Sequence, residues 1–283
     1  QSLGTFLGGD MCYSHVTVMG LSLDGSVAVG QSNGRAYRWT LGTGMADLGN
    51  LTNHPARIAF AKSISHDGTA IVGSWGVNAA GHIAQAFRWR EGVGMENLGS
   101  LDGAGIEPAD GANISVSADG SVVVGTSYTS GGIVRPFLWT QDIGMVNLQT
   151  YLPAIGVDLT GWSLCYATGI SADGRTIVGN ACASPGATSG FIITLPAVLP
   201  ACLSLSALDN AFACADGSAT FSVTATGAGP MTFQWRKGGA PIDSTANPSA
   251  ATTTLTMTGI QAADADRYDC VVSTACGSAT SNQ

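Results

Sequence analysis

Short runs in which hydrophobic residues alternate with small or polar ones fill residues 2–195. In the second of several similar units the runs are AFAKSIS, TAIVGSW, AFRWR and GMENLGSL. A two-residue period is typical of half-buried strands, and no segment shows the wider stripe of an amphipathic helix. The pattern therefore predicts an all-β protein built from four-stranded units.

One hairpin sequence occurs four times along the chain. The copies are SLDGSVAVGQS at 22–32, SHDGTAIVGSW at 65–75, SADGSVVVGTS at 117–127 and SADGRTIVGNA at 171–181. Asp-Gly is a strong hairpin signal because the turn needs positive φ. The glycine that follows in each copy is predicted to mark a close approach of two strands rather than a ligand site; these glycines are Gly30, Gly73, Gly125 and Gly179.

A second phrase follows three of the hairpins and completes the unit. Its copies are RAYRWTLGTGMADLGNL at 35–51, QAFRWREGVGMENLGSL at 85–101 and RPFLWTQDIGMVNLQTY at 135–151. The recurring aromatic residues are predicted to form the core between units, and an alternative as sugar-stacking platforms is less favoured. They are Trp39, Trp89, Trp139, Tyr37, Phe87, Phe137 and Phe191.

Repeated four-stranded units of this length are typical of β-propeller blades, since each sheet needs neighbours to bury both of its faces. The fourth unit has its hairpin and the strand GFIITLP but lacks the final strand. The start of the chain, QSLGTFLGG, is similar to that missing strand. We therefore predict a small four-bladed propeller that residues 2–8 close by pairing near 186–196, with a parallel β-solenoid as the alternative.

Residues 2–195 resemble the HAF-type repeats of bacterial secreted and surface proteins. That family combines a DG..VVG hairpin, an HAFLW-like strand and an M.DLG.LGG tail, and all three recur here in order. The chain departs from the family at Arg35, Gln85 and Arg135, which stand in place of the histidine. The resemblance implies export and repetition, and it implies no chemical activity.

The repeated sequence pattern ends near residue 201, where the chain begins to resemble an immunoglobulin-like domain. Trp235 lies in FQWRKGG, and Tyr268 stands two residues before Cys270, as in a tyrosine corner. Val223 occupies the position that usually pairs with that cysteine, so the common inter-sheet disulfide is not expected. We predict two domains, a repeat propeller at 1–196 and an immunoglobulin-like β-sandwich at 197–283.

The composition narrows the range of partners. Only 11% of residues are charged, the net charge is −8, and Lys62 and Lys237 are the only lysines. This argues against nucleic acid and anionic membranes as partners. A neutral surface of short side chains suits either a secreted protein adapted to its medium or one that packs against copies of itself. The uncharged stretch 190–208 is interpreted as strand, linker and strand because Pro196 and Pro200 interrupt it, so no membrane span is expected.

The seven cysteines show no CxxC pair, which makes zinc improbable and favours an oxidising, extracytoplasmic location. Cys165 and Cys182 flank one hairpin and are predicted to pair. In the C-terminal domain Cys214–Cys276 is favoured, and Cys202–Cys270 more weakly. Cys12 is left over, either buried or available to another chain, and a chain that starts at Gln1 is interpreted as already processed.

No catalytic constellation is found in the sequence. The histidines His15, His54, His66 and His82 stand at no metal-ligand spacing, and no nucleotide-binding or hydrolase motif occurs. The acidic loop 102–110 is interpreted as solvated rather than as a Ca²⁺ site. The prediction is a non-enzymatic protein without metal or cofactor.

Two classes of function remain, ahead of an enzyme. The first is an extracellular or cell-surface structural or adhesive protein that self-assembles into a filament or layer, with residues 2–8 donated to the next subunit. The alternative is a glycan- or protein-binding module whose site is the loop face at 76–84, 102–111 and 128–134.

Overall fold

The computed structural model describes residues 3, 16–49, 51, 58–76, 84–101, 113–129, 133–183, 187–197, 199, 203–227, 230–274 and 277–283. The chain forms two compact units, residues 1–149 with 159–199 and residues 150–158 with 200–283. The predicted domain boundary at 196–197 stays a prediction. Each unit is described by itself.

The first unit contains four antiparallel sheets in which each strand pairs with the next along the chain. The first sheet is β1 (Val16–Leu21), β2 (Val27–Ser32), β3 (Arg35–Thr40) and β4 (Gly44–Asp47), and the second is β5 (Ile58–Ile64), β6 (Ala70–Gly76), β7 (Ala84–Arg90) and β8 (Gly94–Gly99). The third is β9 (Ile114–Val116), β10 (Val122–Tyr128), β11 (Val134–Thr140) and β12 (Gly144–Asn147), and the fourth is β13 (Leu164–Ile170), β14 (Thr176–Ala183) and β15 (Ala187–Thr194).

The all-β prediction is confirmed, and the predicted strands of the second unit of sequence are those of the second sheet. Every ladder between described strands of the repeat region is antiparallel. The alternative of a parallel β-solenoid is therefore wrong, because a solenoid joins successive units by parallel ladders.

Successive sheets pack face to face. In each hairpin one valine directly precedes the repeated glycine, and we call the sheet face that carries it the valine face (Val29, Val72, Val124 and Val178). The opposite face is the tryptophan face (Trp39, Trp89, Trp139 and Ile193). One core cluster joins Val29 on the valine face of the first sheet to Ile64 and Phe87 on the tryptophan face of the second. A second cluster joins Val72 to Trp139 in the same way.

A series of backbone hydrogen bonds links the four hairpin turns. Leu23 N–H donates to His66 O at 3.1 Å, His66 N–H to Ala118 O at 3.0 Å, and Ala118 N–H to Ala172 O at 2.9 Å. These residues hold equivalent positions in the four hairpins. Each sheet is therefore joined to the next by the same kind of hydrogen bond, and the donor always belongs to the earlier sheet in the chain.

One helix replaces a predicted strand ending. The phrase GMVNLQTY was expected to end as a strand, but β12 stops at Asn147 and α1 spans Leu148–Ala154. The Asn147 side chain accepts a hydrogen bond from Gln149 N–H at 2.9 Å, which is how a capping residue starts a helix. Leu148, Tyr151 and Leu152 lie on one side of this helix of about two turns and are fully buried, so packing stabilises the helix there.

The closing strand predicted at residues 2–8 falls almost wholly outside the described residues, so a closed four-bladed ring stays a prediction. The stretch 190–208 forms the end of β15 and the short strand β16 (Leu203–Leu205), as expected for strand, linker and strand. Among the residues that the structure describes, none belongs to a helix with the length and hydropathy needed to cross a bilayer.

The second unit contains two-stranded pairs and one four-stranded sheet, in the order β16–β18, β17–β21 and β20–β19–β22–β23. The strands after β16 are β17 (Ser218–Ser222), β18 (Ala225–Gly227), β19 (Thr232–Lys237), β20 (Ala240–Pro241), β21 (Thr254–Thr258), β22 (Tyr268–Thr274) and β23 (Gly277–Thr280), with 3-10 turns at Pro248–Ala251 and Ala262–Asp264. Trp235, Leu255 and Cys270, from three of these strands, are fully buried in one core.

Candidate functional site

The four turn aspartates are structural. Asp24 Oδ1 accepts a hydrogen bond from Ser22 Oγ at 2.7 Å and from Ser26 N–H at 3.0 Å. The same two bonds recur in the other hairpins, at Asp67, Asp119 and Asp173. An aspartate in this position is occupied by its own turn, which agrees with the role predicted from the sequence.

The same bonds keep these carboxylates ionised. The bond from Ser22 is the largest cause that lowers the pKa of Asp24 to about 2. The pKa values of Asp67 and Asp173 are lowered first by the equivalent serine bonds. For Asp119, partial burial raises the pKa, but the bonds from Ser117 and Ser121 outweigh it and the net shift is downward.

The repeated glycines mark close approaches of neighbouring strands. A Cβ atom on Gly73 would lie 1.9 Å from Phe60 O and 2.9 Å from the ring of Phe87. On Gly30 it would lie 1.8 Å from Thr17 O. These distances leave no room for a methyl group. The glycines serve strand packing, as predicted, and form no ligand cradle.

Most of the predicted aromatic residues are buried, and Tyr37 in the first sheet has no exposed surface. Phe87 and Phe137 are fully buried, and Trp139 lies in the same cluster as Phe137. Trp89 packs against the cluster around Phe87. Trp39 in the first sheet and Phe191 in the fourth are only half-buried.

Arg88 bridges the second and third sheets. Its guanidinium lies 4.4 Å from the ring centroid of Trp139, and it donates to Glu96 at 3.0 Å and to Gln141 at 2.8 Å. Arg88 pairs with Val72 on the valine face of the second sheet. The residue at this position therefore contacts the tryptophan of the following sheet.

The valine face of the fourth sheet is uncovered. Val29, Val72 and Val124 have no exposed surface, whereas Val178 at the equivalent position is 40% exposed. Ile192, its partner on β15, is 72% exposed, although its equivalents Arg88 and Leu138 are buried. The strand β14 accordingly alternates between buried and exposed residues, while β2 and β6 are buried throughout.

The tryptophan face of the first sheet is partly uncovered as well, although Tyr37 on that face is fully buried. Leu21 is 61% exposed, whereas Ile64 and Val116 at the equivalent positions are buried. Val18 is 54% exposed, although Ala61 at the equivalent position is fully buried. The two ends of the sheet series therefore present the two apolar faces that pack on each other inside the unit, and these end faces are the candidate functional site.

The sequence analysis missed these end faces. Val178 lies in RTIVGN and Val124 in SVVVGT, so the local pattern gives both residues the same environment. Only the position of a hairpin in the series distinguishes them. The incomplete fourth unit was the one signal that pointed to this end of the series.

The edge of the fourth sheet is also unpaired within the described residues. The sheet order β13–β14–β15 places β15 at the edge where β4, β8 and β12 complete the other sheets. An unpaired edge presents backbone N–H and C=O groups to an added strand. Whether residues 2–8 occupy it lies outside the described residues.

The second unit has its own apolar surface. Phe221 stacks on Tyr268 with ring centroids 4.9 Å apart, and the two rings line a cleft of about 420 Å³ together with Phe212. Phe212 is 92% exposed. Tyr268 Oη donates to Asp264 O at 2.7 Å, which is the bond of a tyrosine corner.

Two of the predicted disulfides need correction. Cys165 and Cys182 are bonded, with Cα atoms 5.8 Å apart. Cys214 and Cys270 are free thiols, so the predicted bridges Cys214–Cys276 and Cys202–Cys270 are wrong. Cys270 is buried opposite Trp235, and burial raises the pKa of its thiol to about 11. Cys12, Cys202 and Cys276 lie outside the described residues.

Several other predictions fall mostly or wholly outside the described residues. These are the acidic loop 102–110, the loop face at 76–84, 102–111 and 128–134, and His15, His54 and His82. Within the described ranges, no three metal-ligating side chains come together. The loop-face alternative thus stays a prediction from the sequence.

Comparison with known proteins identifies the C-terminal part. Residues 205–283 match the family model of the immunoglobulin I-set domain. No curated protein sequence matches the chain. The chain is similar to several solved structures, all at low identity.

TolB from Acinetobacter baumannii is 18% identical with a TM-score of 0.38, over 63% of this chain and 40% of that one. The chain therefore spans less than half the length of that protein. A putative TolB from Agrobacterium tumefaciens is 13% identical with a TM-score of 0.42, over 87% and 90%. Extracellular domains 3–5 of Drosophila OTK are 13% identical with a TM-score of 0.32, over 80% and 72%. With the tyrosine corner and the family match in agreement, residues 205–283 are an immunoglobulin-like domain.

Proposed function

We propose that the chain is a non-enzymatic structural or adhesive protein of the extracellular space or cell surface, which self-associates into a filament or layer. The observation that carries this proposal is the pair of uncovered apolar faces at the two ends of the sheet series. Exposed apolar patches on a folded protein mark interaction surfaces.

The charge of the chain supports self-association. Val18 and Leu21 on one end face, and Val178 and Ile192 on the other, are uncharged residues in a chain with only 11% charged residues. The charges that the tryptophan face does carry, Arg35 and Asp47, form an ion pair, so contact between the faces meets little net repulsion.

An extracellular location is supported by two features. The Cys165–Cys182 disulfide is consistent with an oxidising compartment, because disulfides are rare in a reducing cytosol. The immunoglobulin-like domain is a common module of cell-surface proteins. The resemblance of residues 2–195 to HAF-type repeats implies the same location.

Sedimentation of the purified chain over a wide range of concentration tests the proposal. We expect species larger than a monomer that grow with concentration and show fibres or sheets under negative stain. Because the faces are apolar, sulfate should strengthen the association, whereas a contact made by ion pairs would weaken with salt. A chain that remains monomeric at high concentration contradicts the proposal.

A further inference from the structure

The three contacts between successive sheets share one geometry. In each, the valine face of one sheet packs on the tryptophan face of the next, as in the cluster of Val29 with Ile64 and the cluster of Val72 with Trp139. The third contact places the Cβ position of Gly174 2.8 Å from Val122 Cγ2, as Gly68 lies 3.0 Å from Val27 Cγ2 in the first. The chain thus specifies one sheet-on-sheet contact and repeats it.

The two uncovered faces are the two halves of that same contact. The fourth sheet ends the series with a free valine face, and the first sheet begins it with a free tryptophan face. In this structure the two faces do not cover each other, since residues on both are exposed. A single added strand such as residues 2–8 extends the edge of a sheet, whereas a whole face is covered by another sheet.

We propose that the valine face of the fourth sheet in one copy packs on the tryptophan face of the first sheet in a second copy, an interface that rests on the proposed self-association. The contact is head-to-tail and leaves one free face of each kind, so it can repeat. It names the surfaces and the register through which the copies join.

The internal contacts give the register. Arg88 lies over Trp139 at 4.4 Å, and Ile192 and Trp39 hold the equivalent positions at the two ends. In the same way Val29 and Ile64 both lie within 3.4 Å of the Cβ position of Gly20, and Val178 and Leu21 are their equivalents. Ile192 of one copy therefore lies on Trp39 of the next, and Val178 lies beside Leu21.

The backbone bonds of the turns agree with this register. Each turn donates an N–H to a carbonyl of the following turn, from Leu23 to Ala172. Within the described residues, the turn of the fourth sheet has no following turn to receive the N–H of Ala172. The head-to-tail contact supplies Leu23 O of the next copy as its acceptor.

Mixing two single variants of the full chain, Leu21→Cys and Val178→Cys, tests the contact between copies. Under mild oxidation we expect a covalent dimer in the mixture, seen on a non-reducing gel, and at most the background of the unsubstituted chain from either variant alone. The matched control is Val93→Cys mixed with Val178→Cys, because Val93 is 59% exposed but lies in the turn between β7 and β8 of the second sheet, which carries neither end face.

The double variant Leu21→Cys/Val178→Cys distinguishes contact with a second copy from contact between the two end faces of one chain. A ladder of covalent oligomers supports contact between copies. A monomer whose two new cysteines are bonded to each other shows that the faces close within one chain, which overturns the inference.

A second pair of variants needs no new thiol. Ile192→Asp should weaken association about tenfold or more, whereas Val93→Asp should leave it unchanged, and both should keep their far-UV circular dichroism. If the unsubstituted chain associates but neither the mixed cysteines nor Ile192→Asp has an effect, this interface is wrong and the proposed function stands. If the unsubstituted chain is monomeric, both are wrong.

Discussion

At the scale of the residue, the glycine six positions after each turn aspartate fixes the distance between the first two strands of its sheet. The Cβ position of Gly73 lies 1.9 Å from Phe60 O, so the strands approach until only a hydrogen atom fits. The aromatic ring of Phe87 lies over the glycine, with its nearest carbon 2.9 Å from the same Cβ position. The tight core of each sheet follows from this absence of a side chain.

We expect Gly73→Ala to destabilise the first unit by about 2 kcal/mol or more, since overpacking at a site that cannot yield costs about 1–3 kcal/mol. Gly42→Ala is the matched control, because a Cβ atom there meets nothing within 4 Å. The control should be neutral or slightly stabilising through its effect on the unfolded chain. Urea denaturation measures both, and equal midpoints for the two variants would contradict the steric argument.

At the scale of the element, the hairpin turns depend on ionised aspartates. Asp24 accepts bonds from Ser22 and Ser26, and its pKa is lowered to about 2. A carboxyl whose pKa is lower in the folded state contributes stability that is fully present above its unfolded pKa and is lost as the pH falls through the folded value. The relevant window lies between about pH 4, the unfolded value, and about pH 2.

We therefore expect the stability of the first unit to fall steeply as the pH decreases through that window. The variant in which Asp24, Asp67, Asp119 and Asp173 are all changed to Asn retains an acceptor oxygen but does not titrate. Its stability should be lower at neutral pH and should depend less on pH below about 4. Urea midpoints measured at several pH values provide the test, and parallel pH curves for the two proteins would show that the turn carboxylates are not responsible.

The elements that the sequence predicted well are those set by local chemistry. The Asp67-Gly68 turn and the strands on either side of it appear where the alternation placed them. The helix α1 was missed because its seven residues, with Leu148 and Tyr151 buried, lie in a sequence phrase that ends as a strand in the other copies. The exposed state of Val178 could not be predicted, since burial there depends on whether another sheet follows.

At the scale of the whole molecule, the cysteines divide by unit. The one disulfide among the described cysteines joins Cys165 and Cys182 in the first unit, while Cys214 and Cys270 in the second are free. A reductant should therefore act on the first unit through this bridge and leave the two free thiols unchanged. Sequence reasoning found the first pair because the two cysteines flank a hairpin, and it misassigned the others because no short-range geometry constrains them.

We expect reduction to lower the stability of the first unit by about 3 kcal/mol, the value for a loop of about fifteen residues. Differential scanning calorimetry with and without reductant distinguishes the two transitions, and Cys214→Ser serves as the control that leaves both unchanged. A shift confined to the second transition would be inconsistent with the assigned bridge.

The pairing of Val223 with a lone Cys270 in the core has a consequence for biogenesis. Most domains of this architecture that carry a bridge between their layers complete it with the help of oxidising machinery. Here the methyl groups of Val223 pack in the core with the thiol of Cys270 and with Trp235, so no disulfide joins the layers at this position. The core around Trp235 can thus form at a rate that does not depend on oxidation of the Cys270 thiol.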